Sequence, residues 1–185
     1  MKTATRALFV AAALLVCPAT HAVDAISLEV GESDSSFSDV NSFRLGAQWN
    51  WQSKWLAVGN WYLGGYWDVS AAYWSNDSDR AIRTSSDLID LGVTPTLRWQ
   101  QAQRSSIAPF VDLGLGLRYL SEDSITTLRD LSSNFQFGSV LGVGVRLGAR
   151  HAYELSYRYE HLSNAGLKQP NNGINFQSLR LRYHF

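Results

Sequence analysis

"VDLGLGLRY", Val111 to Tyr119, decides how the chain is built. Val111, Leu113, Leu115, Leu117 and Tyr119 take every second position, against Asp112, Gly114, Gly116 and Arg118. Successive side chains of a strand point to opposite faces. The stretch therefore predicts a strand with one apolar face and one face of glycine and charge. A soluble β-sandwich would alternate in the same way, burying its apolar face and wetting the polar one. An outer-membrane barrel turns the apolar face to lipid and the polar or small residues inward.

The same pattern recurs on both sides. "NSFRLGAQWNW" sets Phe43, Leu45, Ala47, Trp49 and Trp51 against Arg44, Gly46, Gln48 and Asn50. "DLIDLGVTPTLRWQ" sets Leu91, Val93, Pro95, Leu97 and Trp99 against Asp90, Gly92, Thr94, Thr96 and Arg98. "LGVGVRLG", "AISLEVG", "HAYELSYRYEHLS" and "FQSLRLRYHF" follow the rule, and "WYLGGYWDVSAAYW" follows it more loosely. Together they predict eight strands. The polar faces carry both signs of charge: Glu29, Asp68, Asp90, Asp112, Glu154 and Glu160 against Arg44, Arg98, Arg118, Arg146, Arg158, Arg180 and Arg182. The interior of an eight-stranded barrel is just wide enough for side chains to fill it. Small residues and a balanced ion network suit that plug, and a pore is not expected. Trp49, Trp51, Trp61, Tyr73, Trp99, Tyr119 and Tyr183 fall near strand ends, as interfacial girdles require. The chain ends on Phe185, an aromatic C-terminus like that of bacterial outer-membrane barrels.

The other end reads as an address. Residues 1–22 combine early positive charges (Lys2, Arg6), an apolar run from Ala7 to Val16, and the small residues Thr20 and Ala22 before a cleavage point. The expected domain plan is a cleaved signal peptide at 1–22 and an eight-stranded outer-membrane β-barrel over 23–185. Cys17 lies inside the signal segment, and the bulky Val16 before it disfavours a lipoprotein. The mature chain then has no disulfide and no thiol chemistry. Sixteen Lys and Arg balance 16 Asp and Glu, which argues against nucleic acid as a partner. No metal-ligand spacing or phosphate loop occurs, so neither a metal nor a cofactor is expected.

The connections sort by length. Polar stretches near 31–41, 75–86 and 121–133 are the long loops of the extracellular side, and tighter links such as "GARH" are periplasmic turns. "QSKWLAVGN" is long for a periplasmic turn and has no place in this scheme.

Chemistry concentrates in "EHLSNAGLKQPNNGINFQ", Glu160 to Gln177. Tyr153, Leu155, Tyr157 and Tyr159 form a lipid-facing row that His161 and Ser163 continue. Ten residues above His151, at ~3.3 Å per residue and ~45° tilt, His161 lies ~23 Å up, near the outer edge of a ~25 Å apolar band. If Phe185 pairs with His151, then His161 faces Asn175, which also points outward. Three polar residues then share a lipid-facing patch. An imidazole can take a hydroxyl proton during attack on a carbonyl while a third group holds the ring. A histidine two residues before a serine is, as a bare pattern, an ordinary loop start; its place at the membrane surface gives it meaning. His184 reads as part of the internal ion network, His151 as an interfacial residue, and Lys168 as a solvated loop charge or a phosphate contact.

"HLSNAGLKQPNNGIN" and "GYWDVSAAYW" resemble the PagL-type lipid A 3-O-deacylases, over most of the mature barrel. The resemblance implies an eight-stranded outer-membrane esterase that removes an ester-linked acyl chain from lipopolysaccharide. It implies His161 as general base, Ser163 as nucleophile, and Asn164 and Gly166 as oxyanion donors. Its partner is lipid A of the outer leaflet, and a homodimer is compatible with it. The family's third catalytic residue is a Glu; here its position holds Asn175, and no Asp or Glu follows Glu160. Glu160 points inward, and Glu122, Asp123 and Asp130 would reach the site only if their loop folds over it. Asparagine can orient the ring, as in Cys-His-Asn enzymes, but an Asp→Asn change in a serine triad stabilises the wrong tautomer and costs ~10⁴ in rate. The alternatives at this point are a latent or non-catalytic barrel, structural or adhesive, and a hydrolase of another outer-leaflet lipid such as phospholipid.

Overall fold

The computed structural model describes residues 22–34, 38–79, 81–102, 106–148 and 150–185. The expected signal peptide lies outside them apart from Ala22. The strands are β1 (Ala25–Ser33), β2 (Val40–Asn50), β3 (Trp55–Val58), β4 (Trp61–Asn76), β5 (Asp87–Gln101), β6 (Ile107–Leu120), β7 (Ser124–Thr126), β8 (Arg129–Asp130), β9 (Phe135–Leu147), β10 (Tyr153–Ser163) and β11 (Ile174–His184). Eight of them, all but β3, β7 and β8, close into one antiparallel barrel, with β1 between β2 and β11. The closing ladder runs from Ala25↔His184 to Ser33↔Phe176.

Leu45, Leu113, Leu141, Leu155 and Leu181 are all more than 45% exposed, a degree of apolar exposure that only lipid would cover around a whole wall. Inside, the charged rows meet. Arg98 bonds Asp112 at 2.7 Å and Glu154 at 2.6 Å. Arg180 bonds Glu29 and Asp68, each at 2.6 Å. Arg44 bonds Glu160 at 2.7 Å and Asp90 at 3.0 Å, and Arg118 also bonds Glu160. Gly92 is needed here, since a Cβ would overlap the Arg118 guanidinium. His184 Nε2 lies 3.1 Å from Glu154, within the ion network as expected.

The top of the interior departs from the polar expectation. Val40, Trp74, Leu88, Leu120, Leu162, Ile174 and Phe176 point inward and form an apolar layer with Ile125 and Leu131 of the extracellular loop. Trp74 and Phe176 pack with ring centroids 4.6 Å apart. The β7–β8 hairpin thus folds over the barrel mouth, because Ile125 and Leu131 are fully buried there. Asn76 Nδ2 clasps it by donating to Ile125 O at 2.8 Å.

The connection without a place in the sequence scheme folds as β3 against the start of β4, through Trp55↔Leu63 and Val58↔Trp61. It is exposed throughout and brings Trp55 to Trp51, part of the lower aromatic girdle that includes the stacked pair Trp61–Trp99. The polar loops begin later than the sequence indicates. β1 reaches Ser33 and β4 reaches Asn76, so the strands rise above the apolar band.

Candidate active site

β10 and β11 carry the site in the register that follows from setting Phe185 opposite His151, with His161 opposite Asn175. On the other side of β10, His161 stands opposite Ser139 of β9. The closing ladder continues one step past β1, where Asp34 N donates to Asn175 O at 3.0 Å. Ser139, His161, Asn175 and Asp34 therefore lie side by side along one cross-strand row on the outer wall.

Their side chains connect. His161 Nδ1 is 2.6 Å from Asn175 Oδ1. Asn175 Nδ2 donates to Asp34 Oδ2 at 2.8 Å. Arg129 Nη2 donates to Asp34 Oδ1 at 2.9 Å, and Arg129 Nη1 to Gly173 O at 2.6 Å. The arginine is nearly buried, with 4% of its side chain exposed against 35% for Asp34. It begins β8, so the apolar layer that seats the hairpin also sets the arginine.

Gly173 adds a second constraint on the histidine. Its φ is +60°, and a Cβ there would meet His161 Cε1 and Leu162 O, both at 3.0 Å. The bare Cα lets the loop lie against the imidazole edge.

Ser163 is two residues beyond His161 on the same face, about 7 Å along the strand at ~3.3 Å per residue. The loop after it turns through Ala165 (φ +54°) and Gly166 (φ +76°), with Leu167 N donating to Asn164 O at 3.1 Å. Gly166 is exposed. Asn164 is buried, and its Nδ2 donates to Leu131 O at 2.9 Å and Lys168 O at 3.0 Å. Its main-chain N–H donates to Asn171 Oδ1 at 3.0 Å. The donors of Asn164 thus brace the loop against the cap hairpin.

His161 and Ser163 head a groove of about 550 Å³ on the lipid-facing wall, floored by Ser139, Leu115 and Pro95 and ending at Trp67 and Trp51. The pairings His161↔Ser139, Leu115↔Ser139 and Trp67↔Pro95 make it a cross-strand trough. From β10 to β4 it spans four strand spacings, about 19 Å. Ser139 makes the notch beside His161, because its neighbours in the same outward row are Phe137 and Leu141.

Of the sequence-predicted residues, His161 and Asn175 are hydrogen-bonded and His161 and Ser163 share the groove, whereas Gly166 lies exposed on the turn and Asn164 is turned into the loop. Glu160 is 2% exposed and engaged inside the barrel. Asp130 bends back to Ser132 N at 2.7 Å. Among the described residues the acid bonded to the Asn175 side chain is Asp34, which sequence reading passed over as part of a polar loop. Barrel closure was the signal for it: if Ala25 pairs with His184, Asp34 falls opposite Asn175. Among the described residues no group of three or more His, Cys, Asp or Glu is placed to hold a metal ion.

Comparison with known proteins identifies a family for the chain. The family model described as Lipid A 3-O-deacylase (PagL) matches residues 41–184. The lipid A deacylase PagL of Pseudomonas aeruginosa is 33% identical over 138 residues, covering 75% of each chain. That of Bordetella bronchiseptica is 30% identical over 130 residues, covering 66% of this chain and 67% of the relative. The crystal structure of the outer membrane enzyme PagL superimposes with a TM-score of 0.74 at 28% identity, over 87% of this chain and 99% of the other. Neisserial surface protein A shares the fold, with a TM-score of 0.52 at 15% identity, over 87% of this chain and 95% of its own. The chain belongs to the PagL family of lipid A 3-O-deacylases.

Proposed function

We propose that this outer-membrane barrel removes the 3-O-linked acyl chain of lipid A, with Ser163 as nucleophile and His161 as general base. Residues 1–22 would serve as its export signal. The observation that carries the reading is the placement of His161 and Ser163 together at the head of a lipid-facing groove, with His161 Nδ1 held at 2.6 Å by Asn175.

Ser163 Oγ attacks the ester carbonyl carbon while its proton passes to His161 Nε2. The carbonyl oxygen becomes an oxyanion, and the amide of Gly166, exposed on the turn, is its proposed donor. Asn164 supports that turn. The carbon–oxygen bond to lipid A then breaks, and the imidazolium returns its proton to the departing 3-oxygen. Water, deprotonated by His161, hydrolyses the acyl-serine and frees the fatty acid. A groove open to lipid suits a substrate that arrives sideways from the outer leaflet, its acyl chain lying along Ser139, Leu115 and Pro95.

The test is the purified chain in detergent micelles, assayed in parallel on lipid A and on phospholipid. Acyl release from lipid A, lost by at least ~10³-fold in Ser163→Ala, is the expected result. Release from phospholipid instead would favour another outer-leaflet substrate. Asn175 in place of a carboxylate favours a rival, a silent member of the family. A folded barrel that releases nothing from either lipid would support that rival.

A further inference from the structure

Asn175 raises a physical problem that the site itself answers. An asparagine beside a histidine can present either its carbonyl oxygen or its NH₂. With the NH₂ toward Nδ1, the imidazole is forced to carry its proton on Nε2, and it cannot then accept one from a serine. Nothing in an isolated Asn–His pair selects the productive orientation.

Here a third group makes the selection. The Asp34 carboxylate lies 2.8 Å from Asn175 Nδ2, and an ionised carboxylate only accepts. The NH₂ must therefore face Asp34, and Oδ1 must face His161. Nδ1, 2.6 Å from that oxygen, must then be the protonated nitrogen, which leaves Nε2 bare. The hydrogen bonds point one way along the chain, and each polarises the next. As His161 gains a proton from Ser163, the Asp34 charge reaches it through the aligned amide. Arg129, bonded at 2.9 Å, holds Asp34 in line.

We infer that Asp34 is a positioning residue of the catalytic site, acting on His161 through the Asn175 amide, so that the pair Asp34–Asn175 does the work of one triad carboxylate. This rests on the proposed Ser163–His161 chemistry. It also explains how a site without a carboxylate on β11 keeps a directed histidine.

The test uses the full chain, folded in detergent, in four forms: wild type, Asp34→Ala, Asn175→Glu, and the double variant Asp34→Ala/Asn175→Glu. Circular dichroism melting checks that each barrel is folded. Asp34→Ala is expected to lower kcat on lipid A about 10²-fold with KM little changed, as an interaction made in the transition state requires. The double variant is expected to recover kcat to within about threefold of wild type, because the introduced carboxylate would face His161 directly with no second carboxylate beside it. A purely structural Asp34 would not be rescued by a change at position 175, so failure of the double variant to recover overturns the inference, as does full activity in Asp34→Ala. The second readout does not need turnover: ¹⁵N NMR of the His161 imidazole should report the Nδ1–H tautomer in the wild type and a mixture in Asp34→Ala. If the wild type proves inactive on lipid A, the hydrolase reading falls while the tautomer comparison still decides the role of Asp34. The same tautomer in both proteins overturns it.

Discussion

Glu160 and His161 are neighbours in the chain and live in opposite surroundings. Glu160 points into the barrel, 2% exposed, where Arg44 and Arg118 both bond its carboxylate. His161 points out, where Asn175 and Asp34 form a chain at the edge of the lipid. Inside, charges are paired in many directions, so the network resists change and gives no single direction to a proton. On the rim the bonds run in one line and end at His161, the proposed general base. The same alternation that builds a sheet thus separates a stabilising system from the proposed catalytic one by a single residue.

That contrast breaks first under Glu160→Gln. The amide keeps one acceptor but removes the charge between two buried guanidinium groups. Breaking a buried ion pair from one side costs about 3–5 kcal/mol. Denaturant unfolding should show that loss, whereas Ser163→Ala on the rim should leave the unfolding midpoint where it is. Equal midpoints for Glu160→Gln and wild type would contradict the division.

Gly173→Ala probes the rim where it touches the histidine. A side chain at φ +60° costs about 1–2 kcal/mol in backbone strain. Its Cβ would also press on the imidazole 3.0 Å away. Activity should fall about tenfold, since a misplaced base is costly, with a smaller effect on melting. Unchanged kcat would mean that the loop does not restrain His161.

Ser139→Leu tests the groove and carries the smallest expected effect. The added side chain fills the notch beside His161 and should lower turnover a few-fold without altering stability, since the position faces lipid. A kinetic change confined to longer acyl chains would sharpen the reading of the trough.

Much of this could be read from residue order. Period-two alternation located the eight barrel strands, and the C-terminal register placed His161 opposite Asn175. Two features escaped, for physical reasons. Above the apolar band the alternation between lipid and interior ceases, so Ser33 and Asn76 read as loop, and the inward apolar layer of Trp74, Leu162 and Phe176 was not separable from lipid-facing residues. Asp34 lies 141 residues from its partner Asn175, and local pattern carries no trace of such a contact. Only the closing ladder that starts at Ala25 opposite His184 brings the two together.

Ser163, as the proposed nucleophile, should be required for removal of an acyl chain from lipid A. The direct measurement is mass spectrometry of lipid A from cells expressing this chain or its Ser163→Ala variant, with both barrels folded in the outer membrane. Loss of one ester-linked acyl chain with Ser163 present, and an intact lipid A with alanine in its place, is the expected result. The same intact lipid A from both cultures, or the same shortened lipid A from both, would contradict it.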